Sequence, residues 1–339
     1  MPPSSLCVKC KKVEATIDIK FALYCSPCFL EATYHKYRVL LGRCRDTISA
    51  ASSSYTNPNP DNSKALILLP RNFLDTPAVA RATRLLIHFS QLPAIQEPAR
   101  KNLVDYDVAV PISVTSTDED RGRILEFIEM IKKEYPLLCK VHLIIIETGQ
   151  IIPFESLSES QMNCDLDMSG LSNTLKEDLL NLKLLHIQLK LMSSLSIDRA
   201  LCPDTSTSLA SHILTCTCKG RGKFLPWDSA LCRSFPSGKS LQRPLKEISD
   251  KEIELYCHES NFKIHFTQSQ PPMSIDQLTV NFLSNLETEN PGTANVVIRT
   301  SSKVTTTSTV DSKNDLTCPI CFAPNEGICE SCSPLKEFF

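Results

Sequence analysis

The chain has 339 residues, 42% hydrophobic and 22% charged, with a formal net charge of -2. That length and balance suit one large globular domain with small appendages or two domains, and they exclude a protein that holds nucleic acid by bulk charge, so any RNA contact has to come from local basic patches. The start, MPPSSLCVKC, carries no apolar signal segment, and no run approaches the ~20 apolar residues of a membrane helix, so a cytoplasmic, membrane-free protein with reduced thiols is expected.

Sixteen cysteines in such a chain need a reason, and eight fall into four Cys-x-x-Cys pairs. In chain order, Cys7/Cys10 and Cys25/Cys28 come first, with 14 residues between the pairs. A Cys-x-x-Cys turn brings two thiolates to one metal, and two turns complete the tetrahedral four-sulfur shell of structural zinc. The spacing lies within one residue of the zinc-ribbon range. Lys9, Lys11 and Lys12 help to hold the thiolates deprotonated. A redox pair normally opens a helix in a βαβ unit, and none precedes Cys7. Residues 29–46 then read as an amphipathic helix, with Leu30, Tyr34, Tyr37, Leu41 and Cys44 on one face. Lys36 and Arg43 flank that face on one side, Arg38 and Arg45 on the other. They form either a solvated rim or a phosphate-binding ridge. The Ser/Asn/Pro-rich stretch 49–63 reads as a linker.

From Lys64 strands and helices alternate. Strands are expected at 64–70, 106–114 and 139–147. Between them, one helix opens at Thr76-Pro77 and another spans about Thr117 to Tyr135, with Asp118, Glu119 and Asp120 in its first turn. Further helices are expected at Ser172–Met192 and Asp204–Thr217, and capping boxes at Ser249/Glu252 and Ser274/Gln277 open two more. This order implies an α/β fold built on a doubly wound parallel sheet, which binds ligands where the strand order switches. The turn after its first strand, PRNFLDTP, has no glycine, so backbone N–H groups cannot crowd a phosphate there; it reads as an ordinary β-α loop, with Arg71 as the residue that could still attract an anion. Lys219, Arg221 and Lys223, with Gly220 and Gly222, form a basic loop that either faces a cleft or caps the preceding helix. Cys216 and Cys218 read as helix-packing residues, and Trp227 as a core residue.

The chain closes with CPICFAPNEGICESC, in which seven residues separate Cys318/Cys321 from Cys329/Cys332. Pro319, Pro324, Asn325 and Gly327 supply the turns of a compact zinc knuckle. The opening also resembles a RING domain, but the sequence stops before a second metal site is built. Two structural zinc ions are expected, one per four-cysteine set. An iron–sulfur cluster is the chemical alternative, and a metal shared between one pair from each end the topological one.

The segments CVKC…YCSPCFLEATYHKYRVLLGR, CPDTSTSLASHILTCTCKGRGKFLPWD, RPLKEISDKEIELYCHESN and NFLSNLETENPGTANVVIRTSSKV, with the terminal cysteine pairs, resemble in order the family of cytoplasmic tRNA 2-thiolation protein 2, second subunit of the cytosolic thiouridylase. The resemblance implies a PP-loop (adenine-nucleotide alpha hydrolase-like) fold. It implies a part in 2-thiolation of the wobble uridine, as 5-methoxycarbonylmethyl-2-thiouridine, in tRNA Lys, Glu and Gln. It implies a catalytic PP-loop partner subunit, fed by a thiocarboxylated ubiquitin-like sulfur carrier. The family's ATP motif, Ser-Gly-Gly-x-Asp-Ser, is missing at PRNFLDT, and no central Cys-x-x-Cys exists, so neither ATP-binding nor catalytic residues carry over. The rivals are an active ATP-dependent sulfurtransferase and a zinc-ribbon adaptor without RNA contact. The implied layout is a zinc ribbon at 1–30, a basic helix and linker at 31–63, a degenerate PP-loop domain at 64–270, a helix and strand at 271–310, and a zinc knuckle at 311–339.

Overall fold

The computed structural model describes residues 6–19, 22–51, 64–96, 103–113, 118–135, 140–154, 168, 170–262, 273–304 and 316–339, with backbone only for 45–51. The chain opens with a small antiparallel hairpin of β1 (Ile17–Ile19) and β2 (Ala22–Tyr24), then enters α1 (Ser26–Ala51). α1 begins inside the first cysteine set, with Cys28 in its first turn, so the boundary placed at residue 30 falls within one continuous helix. It also runs into the expected linker as far as Ala51; residues 52–63 of that linker lie outside the described residues.

The central sheet is built in chain order. β3 (Lys64–Leu68) leads through α2 (Pro77–Gln96) to β4 (Asp105–Ile112), then through α3 (Asp118–Glu134) to β5 (Val141–Ile145) and the edge strand β6 (Gln150–Pro153). α4 (Asn173–Ser194) crosses back to β7 (Arg199–Leu201), followed by α5 (Ser206–Cys218), a 3₁₀ turn at Gly222–Phe224 and the short α6 (Leu225–Asp228). β8 (Cys232–Ser234), β9 (Ser240–Gln242) and α7 (Asp250–Glu259) complete this part. Across the sheet the order is β6-β5-β4-β3-β7-β9-β8. The five inner strands are parallel, while β6 and β8 pair antiparallel at the edges. This is the doubly wound α/β fold that the sequence pattern implied. The four short strands after β5 were not foreseen, because three- and four-residue strands carry too little periodicity to read.

Alternation along β3 distributes the core over both faces. Ala65 and Ile67 meet α1, α2, α3 and α7 on one face, while Leu66 and Leu68 meet α4 on the other. On the first face Tyr34 and Tyr37 of α1 pack against Phe89 of α2, which meets Tyr256 of α7 edge-on at 5.0 Å between ring centroids. The caps fall where the sequence places them. Ser249 and Glu252 form a complete capping box at α7. Ser274 accepts from the Gln277 N–H, while the Gln277 side chain turns to Asn281.

Two further helices, α8 (Ile275–Glu289) and α9 (Thr293–Ser301), pack on α5. α9 replaces the expected strand. Its β-branched run favours a strand locally, but Ala294, Ile298 and Ser301 recur at helical spacing and are buried, and burial overrides propensity. The Glu287 carboxylate also accepts from the Gly292 and Ala294 N–H groups at the start of α9, anchoring the turn.

Candidate metal centres and the switch-point crevice

Each terminal cysteine set folds into one cluster whose four sulfurs all lie within 4.8 Å of one another. The two are built alike. At the N-terminus the Lys11 N–H donates to the Cys7 carbonyl at 2.8 Å and the Cys7 N–H to Val13, closing a knuckle with Lys11 at φ 55. At the C-terminus the Phe322 N–H donates to the Cys318 carbonyl at 2.8 Å and the Cys318 N–H to Ala323, with Phe322 at φ 61. In both, the residue after the second cysteine takes the left-handed conformation, which swings the two sulfurs of the pair to one side. The second pair differs: Cys25 and Cys28 ride the start of α1, while Cys329 and Cys332 form a tight turn before a 3₁₀ segment at Ser333–Phe338.

The sulfur spacing fits a single ion. Cys10 Sγ lies 3.9 Å from Cys25 Sγ, and Cys321 Sγ 3.8 Å from Cys329 Sγ. Four thiolates at about 2.3 Å from one tetrahedral ion stand about 3.8 Å apart. Burial opposes ionisation of Cys7, but backbone N–H groups of Cys10, Cys25 and Lys9 outweigh it and bring the thiol down to about 6. The hydrogen bond with Cys332 brings Cys321 down to about 5, and the same bond raises Cys332. Each cluster therefore sets an easily ionised sulfur beside a raised one, Cys28 in the first set and Cys332 in the second.

The C-terminal cluster is docked on the main fold rather than tethered to it. Ile320, Ala323 and Leu335 are buried against Leu179 and Leu182 of α4 and against Phe224. His186 Nε2 lies 2.7 Å from the Ile320 carbonyl, and Arg233 donates to the Cys321 carbonyl at 3.2 Å.

A crevice of about 270 Å³ opens at the carboxyl ends of β3 and β7, where the sheet order reverses. Asn72, Asp204, Thr205, Ser208, His212, Asp250 and Asp276 are among its polar lining. No lysine, arginine or glycine belongs to the lining among the described residues. Arg71, which follows β3, is ion-paired to Glu177 of α4. Asp204 is held by Arg243 at 2.7 Å, and burial raises Asp250, which accepts from Thr205 at 2.6 Å.

The basic residues singled out in the sequence do not form one patch. On α1, Lys36 reaches the buried Glu252 at 2.7 Å, Arg43 lies 3.2 Å from Glu247, and Arg38 is exposed with its guanidinium 5.9 Å from the Tyr34 ring centre. The Arg45 side chain lies outside the described residues. The loop after α5 packs against α4 instead. Lys219 bridges Asp178 at 2.9 Å and Asp276 at 2.7 Å with a side chain only 7% exposed. Arg221 pairs with Asp178, and Lys223 donates to Asn325 of the C-terminal knuckle. Gly220, at φ 72, ends α5: the Arg221 N–H returns to the Cys216 carbonyl at 2.8 Å. The glycine serves the helix stop, and the cations on either side of it, Lys219 and Arg221, join the end of α5 to α4 and α8.

One group escaped sequence reading. His212 Nε2 lies 2.7 Å from Asp228 Oδ2, and Cys216 Sγ lies 3.5 Å from that nitrogen and 3.6 Å from that oxygen. Cys216 is buried as expected of a packing residue, whereas Cys218 is exposed. The four-residue step from His212 to Cys216 on α5 is a legible signal. Asp228 reaches them only because the chain doubles back through α6. There Arg233, which lies over the Trp227 ring at 4.0 Å, binds the other carboxylate oxygen at 2.8 Å. Burial opposes the Asp228 charge, but Arg233 and His212 hold the carboxyl well below its usual range; the Cys216 sulfur, then Asp228, raises His212.

Residues 274–333, covering α8, α9 and most of the C-terminal knuckle, match the family model described as Cytoplasmic tRNA 2-thiolation protein 2. Curated relatives of that name share 25% identity in Caenorhabditis elegans, over 98% of this chain and 93% of the relative, and 25% in Sclerotinia sclerotiorum, over 87% and 82%. The 2-A form of Xenopus laevis shares 23%, over 94% and 72%. Among solved structures, the U34-tRNA thiolase NcsA from Methanococcus maripaludis, with its 4Fe-4S cluster, has the same fold, with TM-score 0.64 and 17% identity over 99% of this chain and 97% of that one. Paired cysteine knuckles frame a doubly wound sheet in this chain, and along nearly its whole length it is similar to curated cytoplasmic tRNA 2-thiolation protein 2 relatives.

Proposed function

We propose that this chain is the non-catalytic subunit of a cytoplasmic complex that 2-thiolates the wobble uridine, as 5-methoxycarbonylmethyl-2-thiouridine, in tRNA Lys, Glu and Gln. The observation that carries the reading is the crevice at the switch point. A thiolase that activates uridine with ATP needs N–H groups and cations around the phosphates there. Here Asp204, Asp250 and Asp276 face the space, Arg71 is paired with Glu177, and the preceding turn has no glycine. Activation and sulfur transfer then belong to a PP-loop partner subunit supplied by a ubiquitin-like carrier. The apolar side chains Leu278 and Phe282, one turn apart on α8 and both more than half exposed, support a partner-facing surface. Each terminal cluster holds one structural zinc. Its sulfur spacing favours a single ion over an iron–sulfur cube, whose corners spread the thiolates farther apart. The exposed cations Arg38 and Arg43 supply phosphate contacts that supplement the partner's.

Deleting the gene and measuring modified nucleosides of the three tRNAs tests this: 2-thiouridine should vanish, and normal levels would remove the assignment. Titration calorimetry of the purified chain with ATP and magnesium separates the rival enzyme reading, for which micromolar binding would be required.

A further inference from the structure

His212, Cys216 and Asp228 present an imidazole nitrogen, a thiol sulfur and a carboxylate oxygen to one point at the border of the crevice. Their separations are those of ligands, not of a catalytic relay. A nucleophilic cysteine with a histidine base uses the two ring nitrogens for different partners, one for sulfur and one for the orienting carboxylate. Here the same atom, Nε2, is the nearer nitrogen to Cys216 and also the one that meets Asp228. A tetrahedral zinc ion, at about 2.3 Å from sulfur and about 2.0–2.1 Å from nitrogen and oxygen, sets S···N and S···O edges of about 3.5–3.6 Å and an N···O edge of about 3.3 Å. The observed edges are 3.5, 3.6 and 2.7 Å. Two of the three already match, and the third opens by a small rotation of the imidazole, the most exposed of the three side chains.

We infer that His212, Cys216 and Asp228 form a third, separate metal site that takes a divalent transition ion such as zinc. One thiolate and one carboxylate neutralise the ion, and the neutral imidazole completes the protein ligands. The site is also supported from outside. Arg233 holds the Asp228 Oδ1 at 2.8 Å and leaves Oδ2 facing His212 and Cys216, the role that outer hydrogen bonds play at metal carboxylates. α5 fixes His212 and Cys216 on one face, and the 3₁₀ turn and α6 return Asp228 to them. Unlike the terminal clusters, this set has three protein ligands, so one tetrahedral position is left for water or an incoming donor, and its ion exchanges more readily.

The full chain, expressed in zinc medium, should hold about three zinc ions by elemental analysis, and His212→Gln and Cys216→Ser should each hold about two. Exchange into cadmium-113 gives an independent readout. Wild type should show two resonances of four-thiolate sites and a third displaced upfield by nitrogen and oxygen ligands, lost in both variants. Two zinc ions and two resonances in wild type would overturn the site, as would a third resonance that survives both substitutions. His212→Gln is the safer variant for folding, since the side chain is nearly half exposed.

Discussion

Replacing Lys219 with alanine separates a phosphate contact from a structural strut. The ammonium sits between Asp178 and Asp276 at 2.9 and 2.7 Å, joining the end of α5 to α4 and α8, and its side chain is 7% exposed. Removing one partner of a buried pair costs about 3–5 kcal/mol because the remaining charge is left uncompensated. Two features place this case at the lower end. Asp178 keeps Arg221 at 3.3 Å, and Asp276 is about one-third exposed, so water screens it. The backbone cap of α5 is unaffected, since it uses the Lys219 N–H. The expected loss is about 3 kcal/mol, or a fall in Tm of roughly 5–10 °C for a domain of this size. Thermal melts report the stability, and tRNA binding across a salt series reports the RNA. A strut gives the Tm drop with an unchanged salt slope. A variant that melts like wild type but loses close to one unit of slope would show that Lys219 faces phosphate, and the reasoning from burial would be refuted.

Charge reversal of both Arg38 and Arg43 should weaken tRNA binding and make it less salt-dependent, by up to about two units of slope; equal slopes in filter binding would exclude α1 from the RNA surface. Cys25→Ser and Cys329→Ser should each remove about one zinc, since a four-thiolate site seldom survives the loss of a ligand. In Cys329→Ser, hydrogen exchange should also rise around Leu179 and Leu182, because burying Ile320 and Leu335 there is worth about 1.5–3 kcal/mol per side chain; unchanged protection would mean that the knuckle holds without its metal. Burial, then the neighbouring Arg84, lowers His88 to about 4, whereas an unfolded imidazole titrates near 6.5. The unfolded chain therefore takes the proton first. Stability is untouched above pH 6.5, falls as the pH drops from 6.5 to 4, and has lost about 3 kcal/mol below that. His88→Gln should flatten denaturant midpoints across that window, and an identical slope would place the acid sensitivity elsewhere.

The terminal cysteine clusters were legible because their signal is local: two cysteines with two residues between them on a turn point together, and turn residues between the pairs bring the pairs into register. The same holds for β3, β4, β5 and the N-caps of α7 and α8, where periodicity and capping residues agree with burial. The doubly wound order followed from alternation alone. Other features depended on contacts between distant segments. α9 is a helix because α5 and α8 offer its Ala294 and Ile298 a groove, against the strand preference of its own residues. Lys219 and Arg221 read as a free basic loop until Asp178, some forty residues earlier, is brought beside them. Asp228 joins His212 and Cys216 only through the fold of α6, and the crevice is acidic because Asp204, Asp250 and Asp276 arrive from three different segments. The sequence by itself determined the cysteine pairs, the alternation of strands and helices, and the missing glycine loop, all fixed within a few residues. Only the tertiary structure decided which charges are neutralised, because neutralisation depends on partners that chain separation hides and packing supplies.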